Sequence, residues 1–170
     1  QGDQRRIMQE TTMAVINRKI DADIIAQLDQ ATIDTGTTAT ASVTMVAKSL
    51  AALGNAEVPI WDVENMFGLI TPGMNAFLMQ APEYASSDYV EVKPYAGGAA
   101  KRMRRWFDVN WIVHPNLTGV GTSTEKCYVF HRNAIGHAFD TAGMKNAVGY
   151  DEEQDYSFAR ASAYMGSKLL

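Results

Sequence analysis

The sequence predicts an α+β protein in which one long N-terminal helix precedes a region of short helices and strands. Three observations carry that expectation. Residues 4–31 contain neither proline nor glycine and repeat apolar residues every three or four positions. Residues 71–73 read Thr-Pro-Gly between an apolar run and a second helical stripe. Residues 105–113, RWFDVNWIV, alternate as a strand does.

In the first segment Met13, Ile16, Ile20, Ile24, Leu28 and Ala31 fall on one helical face. At 1.5 Å per residue such a rod is roughly 42 Å long, more than twice the mean helix length. A compact domain of this size does not cover a rod of that length, so part of it is expected to lie against another subunit or a missing part of the chain, with a solvent-exposed tail or a coiled-coil arm as the plainer alternative. The apolar seam is too mixed for a sustained coiled-coil heptad. Residues 32–40, TIDTGTTAT, read as a polar hinge. A second helix follows with Val43, Val46, Ala47, Leu50 and Leu53 as its stripe, a Thr or Ser within residues 40–42 as its cap, and Gly54-Asn55 as its end.

Residues 65–70 suit a buried strand. Thr71 is then an N-cap, and Pro72 occupies the first helical position, where its missing amide has no partner to lose. Met74, Phe77 and Leu78 line a short helix that ends before Pro82. Residues 86–98 read as loop or edge structure. Residues 105–113 are expected to form one strand with Phe107, Val109, Trp111 and Val113 on one face and Asp108 and Asn110 on the other. Residues 117–124 read as a hairpin-like connection to a strand over residues 126–131. Asn133 is expected to cap a short helix over residues 134–140, and residues 143–155 to form a loop holding the acidic knot Asp151, Glu152 and Glu153. Residues 156–163 alternate like a strand, although their alanines allow a helix nearly as well, and residues 166–170 begin or continue a strand.

Charge and cysteine content exclude several function classes. The 170 residues carry 15 Lys+Arg against 19 Asp+Glu, a net charge of -4, which argues against a protein that grips nucleic acid or anionic membrane through a general basic field. The single cysteine, Cys127, excludes an internal disulfide and a multi-cysteine zinc site. No stretch approaches the ~18 apolar residues of a membrane span, and the opening residues lack the layout of a signal peptide. The three histidines show no ligand spacing, the acidic knot lacks the alternation of a calcium loop, and the glycines form no phosphate-binding motif. No cofactor is expected.

Cys127 and His131 with His137 and Asp140 invite a Cys–His catalytic reading. On a strand, however, residues 127 and 131 stand about 13 Å apart, too far to share a proton. A buried structural cysteine is the favoured reading. The densest charge feature is Lys101, Arg102, Arg104 and Arg105 beside Trp106. It fits a stacking contact with nucleic acid or, preferably, pairing with acid on a neighbouring subunit. Asp151, Glu152 and Glu153 supply a complementary partner within the same sequence, as repeated head-to-tail contacts require.

The order of these elements is similar to that of a known family. The long helix, the Thr-rich hinge, NMFGLITPGMNAFLMQ at residues 65–80, KCYVFHRNAIGHAFD at 126–140 and the closing YSFARASAYMGSKLL resemble the major capsid protein of tailed bacteriophages and prophages, with the Hong Kong 97 type of coat fold. The resemblance implies a spine helix in a peripheral domain (residues 1–34). It implies an axial domain with a central mixed sheet flanked by helices (residues 35–170), whose C-terminal end leads back to the peripheral domain. It further implies a non-enzymatic subunit that assembles with itself into pentamers and hexamers of an icosahedral shell around double-stranded DNA. The chain would then reside in the virion capsid, after assembly in the host bacterial cytoplasm, with no membrane and no small-molecule substrate as partner. The N-terminal arm and extended loop of such proteins are not in this sequence, so a fragment is expected. An encapsulin-like nanocompartment shell shares the implied fold. A small soluble enzyme using Cys127 or His131 is the reading from a different class.

Overall fold

The computed structural model describes residues 2–36, 39–82 and 103–170. The expected loop at residues 86–98, together with Lys101 and Arg102, lies outside the described residues. The chain divides into two compact units, Leu28–Ala134 and a second formed by Gln1–Gln27 with Ile135–Leu170.

Unit Leu28–Ala134 is built on a four-stranded sheet. Helix α2 (Val43–Asn55) begins at Ser42, an extended residue whose hydroxyl accepts from Met45 N at 3.4 Å. It ends at Gly54-Asn55 as expected, with Ala56 as its C-cap. The stop is Glu57, in the left-handed region with φ 61°, after which Val58 N returns to Leu53 O at 3.1 Å. Strand β1 (Met66–Ile70) runs into α3 (Pro72–Gln80) as expected, with Thr71 Oγ1 accepting from Met74 N at 3.1 Å and Pro72 opening the helix.

The expected single strand at 105–113 is two strands. β2 (Met103–Trp106) and β3 (Val109–Val113) form a hairpin closed by Phe107 and Asp108, at φ 49° and 55°. Two consecutive left-handed residues match the twist of a two-residue hairpin turn. Phe107 therefore leaves the face of Val109 and Trp111 and stands in the turn, 45% exposed. Asn110 lies opposite that face but is buried, because its Nδ2 donates to Val63 O at 2.8 Å and Met66 O at 3.0 Å. The segment after β3 is not a hairpin connection either. The strand order is β2-β3-β1-β4, with β1 parallel to β3 and antiparallel to β4 (Tyr128–His131), so residues 114–127 carry the chain past β1 to its far edge.

The core of this unit joins Val46 of α2 and Leu78 of α3 to Met66, Ile70, Trp106, Val109 and Trp111 of the sheet. Each such side chain contributes about 1.5–3 kcal/mol by leaving water. Gly68 makes the packing possible: a Cβ there would stand 2.4 Å from Trp111 Cε3. The Trp111 indole also donates to Trp106 O at 2.9 Å, which satisfies its one polar atom inside the core.

The second unit contains α1 (Gly2–Leu28) through Gln27 and a long antiparallel hairpin. The predicted apolar face of the helix is realised only in part. Ile16, Ile20 and Ile24 are half-buried and Leu28 is buried, while Met13 is 52% exposed and Ala31 lies beyond the helix end. Ile25, off that stripe, is buried as well.

The helix expected over 134–140 and the loop over 143–155 are both corrected. A single 3₁₀ turn (Arg132–Ala134) leads directly into β5 (Ile135–Asp151), which pairs with β6 (Tyr156–Leu169). Ile135, His137 and Phe139 alternate with Gly136, Ala138 and Asp140, and pairing with a partner strand overrides the weak helical preference of so short a run. A register shift between Asp140 and Lys145 interrupts the ladder. The strand expected at 156–163 and its continuation are one element.

Candidate subunit-contact site

The sequence-derived contact residues fall in different units. Arg105 is exposed on β2 of the sheet unit, and Arg104 precedes it with its side chain outside the described region. Asp151 closes β5, and Glu152 and Glu153 occupy the hairpin tip. The acidic knot is held locally, since Asp151 Oδ1 accepts from Glu153 N at 3.0 Å and from Gln154 N at 3.4 Å. Tyr150 donates to Asp155, and that hydrogen bond raises the phenol above its ordinary value. These bonds hold the Asp151 and Asp155 carboxylates at the tip.

The Cys–His grouping does not come together. Cys127 lies beside Thr71, past the C-terminal end of β1, whereas His131 pairs with Met66 at the opposite end. Cys127 is exposed, not buried as the sequence suggested, because it stands at the sheet end beyond Ile70; partial desolvation of its thiol still raises it against lowering contributions from Thr71, the reverse of an activated nucleophile. His137 bonds Ser167 across the β5–β6 ladder at 2.8 Å. Among the described residues no three His, Cys, Asp or Glu side chains gather to hold a metal ion, and no helix is long and apolar enough to cross a membrane.

Three polar clamps of the sheet unit escape the sequence reading. Asp29, just past the end of α1, accepts from Thr118 Oγ1 at 2.6 Å, Tyr128 OH at 2.7 Å and Lys126 Nζ at 2.9 Å. Burial alone raises the Asp29 carboxyl, but the donors Thr118, Tyr128 and Lys126 outweigh it and lower the group below its ordinary value. Tyr128 is pushed up to about 12, by burial first and by Asp29 after it. A carboxylate is disfavoured at a helix C-terminus, and these three donors offset that.

In the second clamp Glu125 accepts from Thr71 Oγ1 at 2.6 Å and Gly121 N at 2.8 Å, and these bonds lower its carboxyl. It thereby fixes the connection between β3 and β4 against the start of α3. In the third, Asp62 accepts from Asn65 Nδ2 at 2.8 Å and faces His131 Nε2 at 3.4 Å, and the two lower its carboxyl in that order. His131 Nδ1 accepts from Asn133 N at 3.2 Å. That bond puts the proton of the neutral ring on Nε2, toward Asp62. The side-chain partners of Glu125 and Asp29 are 54 to 99 residues away in sequence, so only the folded chain reveals them.

What these clamps leave outside is apolar. Ile7 (59% exposed), Met13 and Val15 on α1, Trp61 ahead of β1, and Tyr156, Phe158 and Tyr164 on β6 all face solvent. Outward aromatic side chains of this kind are suited to binding other macromolecules.

Comparison with known proteins agrees. A family model described as phage capsid protein matches residues 1–169. A solved structure from Mycobacterium phage Che8 is similar in fold, with a TM-score of 0.66 at 19% sequence identity, covering 94% of this chain and 56% of that one. The chain thus spans little more than half the length of that neighbour. No curated protein matches the sequence.

Proposed function

The chain belongs to the phage capsid protein family, and we propose that it works as a shell-building structural subunit with the Hong Kong 97 type of coat fold. Copies associate into pentamers and hexamers of an icosahedral capsid enclosing double-stranded DNA, in the host bacterial cytoplasm during assembly and in the virion afterwards. The unit of α1 and the β5–β6 hairpin corresponds in this reading to part of the peripheral domain, and the four-stranded sheet with α2 and α3 to the axial domain. The role is structural and not enzymatic. Lys101, Arg102, Arg104 and Arg105 meet Asp151, Glu152 and Glu153 of neighbouring copies.

The observation that carries this reading is the exposure of residues 10–15 of α1. Across residues 10–15 every position is exposed, and Met13 and Val15 are more than half open to solvent. A 27-residue helix left bare across residues 10–15 gains little there from its own chain. Its hydrophobic residues are explained by a second chain that covers them.

Sedimentation velocity across a wide concentration range, with negative-stain electron microscopy of the same samples, tests the reading. Concentration-dependent growth into ring- or shell-sized particles is expected. A species that stays monomeric at every concentration overturns it.

A further inference from the structure

The two strands of the β5–β6 ladder are not equally regular. Between the pairs Asp140–Tyr164 and Lys145–Ser162 the ladder takes up more residues of β5 than of β6. The irregularity thus falls on β5, and β6 runs unbroken and without proline from Tyr156 to Leu169. Its other edge meets no strand among the described residues. Both faces of its first half are open, since Tyr156, Ser157, Phe158, Arg160 and Ala161 are all exposed. Long regular edges are blunted by proline, bulges or charge unless a further strand pairs with them. Of these devices β6 has only two charged side chains, Arg160 and Lys168.

Alternation puts both cations on one face with Tyr156, Phe158, Tyr164 and Gly166. From β5 the register adds Asp140 beside Tyr164, Gly149 beside Phe158 and Asp151 beside Tyr156. Acids and bases therefore share this face, and the question is which arrangement of a second strand satisfies both.

The strand matches itself. When a second β6 runs antiparallel along the outer edge with a two-fold axis at Ser162, Tyr156 stands opposite Lys168 of the other copy, Phe158 opposite Gly166 and Arg160 opposite Tyr164. Each cation gains an aromatic ring as its cross-strand neighbour. The next strand out adds the acid: Asp140 in the row of Tyr164 and Arg160, Asp151 in the row of Tyr156 and Lys168. Phe158 meets a residue without a side chain, and a Cβ added at Gly166 has nothing within 4 Å, so the space there is open. Other registers do less. An axis at residue 160 or 164 sets Arg160 against itself or against Lys168, a destabilising like-charge pair. An axis at 161 or 163 leaves Arg160 opposite Ser162 or Gly166.

We propose that the outer edge of β6 pairs antiparallel with β6 of a second copy about Ser162, joining two hairpins into one four-stranded sheet. This rests on the shell-subunit reading above and names one surface through which copies meet. The contact is isologous, the same strand on both sides of a two-fold axis. It turns a ribbon that is marginal alone into a sheet with enough strands to be stable. Glu152 and Glu153 lie at the hairpin tip beyond the paired length, so the basic run of the proposed function still reaches them.

The test uses the full chain. Amide hydrogen exchange is read residue by residue at concentrations where chains are separate and where they associate. Every second amide of β6 points away from β5, and these are expected to exchange about tenfold or more slowly on association. The amides between them already belong to the ladder and are expected to change little. In a Cys127→Ser background, Ser162→Cys is expected to join two chains by a disulfide on mild oxidation, because opposite Cα atoms of an antiparallel pair stand about 4.5–5.5 Å apart. Ser157→Cys, which faces residue 167 of the other copy, is expected to give no such dimer. Association without the alternating slowdown, or without the Ser162→Cys dimer, overturns this pairing and leaves the shell reading standing. A chain that never associates overturns both.

Discussion

The four-stranded sheet and the β5–β6 hairpin solve the problem of burial in opposite ways. In the sheet unit, Met66, Ile70, Leu78 and Val109 are 0–1% exposed, and two helices cover one face. In the hairpin, strands of 17 and 14 residues leave Tyr156, Phe158 and Tyr164 39–66% exposed. A two-stranded ribbon is at best marginally stable in water, and among the described residues no third strand joins it. The sheet unit has the interior of a self-sufficient fold. The hairpin's aromatic surface acquires a purpose only when something else lies on it, as expected of a subunit that completes itself on its neighbours.

The sharpest way to break this contrast is to truncate one side chain in each region. Leu78→Ala, in the sheet core, is expected to cost about 2–5 kcal/mol, the range for deleting a buried leucine. Tyr164→Ala, 66% exposed on β6, is expected to change the unfolding free energy of the unassociated chain by no more than about 0.5 kcal/mol. Urea denaturation of the two variants at low concentration measures both. A cost at Tyr164 comparable with that at Leu78 would mean that the hairpin is already part of a closed core, and the contrast would fail.

Much of the sheet unit was legible in the sequence because its signals are local. Thr71 and Pro72 declare a helix start whatever surrounds them, and β1, flanked by turns, is fixed by its apolar run. Two kinds of feature were hidden. The Phe107-Asp108 turn lacks the Asn-Gly signature of hairpins, so 105–113 reads as one strand. The stretch 134–151, with small residues at Ala134, Gly136, Ala138 and Ala142, carries no strong preference, and its conformation is decided by pairing with β6. The hydrogen bonds at Asp29, whose partners lie 89 to 99 residues away, leave no trace in local pattern. The exposure of Trp61 was equally unreadable, because periodicity is silent about a residue in a turn.

The Asp29 clamp sharpens the comparison at an intermediate scale, since it belongs wholly to the sheet unit. Asp29→Asn keeps the shape but removes the charge that Lys126, Tyr128 and Thr118 address, at an expected cost of about 1–2 kcal/mol at neutral pH. The pH dependence has a definite sign. The folded-state carboxyl titrates below its ordinary 3.8, so its stabilising contribution is fully present above that value and is lost as the pH falls through the folded-state value below it. Thermal unfolding between neutral and acid pH should therefore show the wild-type chain losing part of its advantage over Asp29→Asn in the most acid range. A constant difference down to the acid limit would remove Asp29 as the source.

The smallest expected effect concerns strain, and it separates residues placed for folding from residues placed for contact. Glu57 and Phe107 both adopt left-handed backbone, at φ 61° and 49°, which costs a residue with a side chain roughly 1–2 kcal/mol relative to its usual conformation. Glu57 is exposed, and its position stops α2 in the way that glycine commonly does. Glu57→Gly should thus stabilise the chain by about 0.5–1 kcal/mol once the larger entropy of glycine in the unfolded state is subtracted, with no effect on association. Phe107→Gly relieves the same strain but also discards the edge contact with Trp106, worth about 0.5–1.5 kcal/mol, so its stability should barely move. If the turn that carries Phe107, 45% exposed, meets another copy, however, its association should suffer. A pair of glycine variants that differ in association while both keep the fold would show that the aromatic in the turn is retained for what lies outside the chain, as the contrast between the closed sheet and the open hairpin requires.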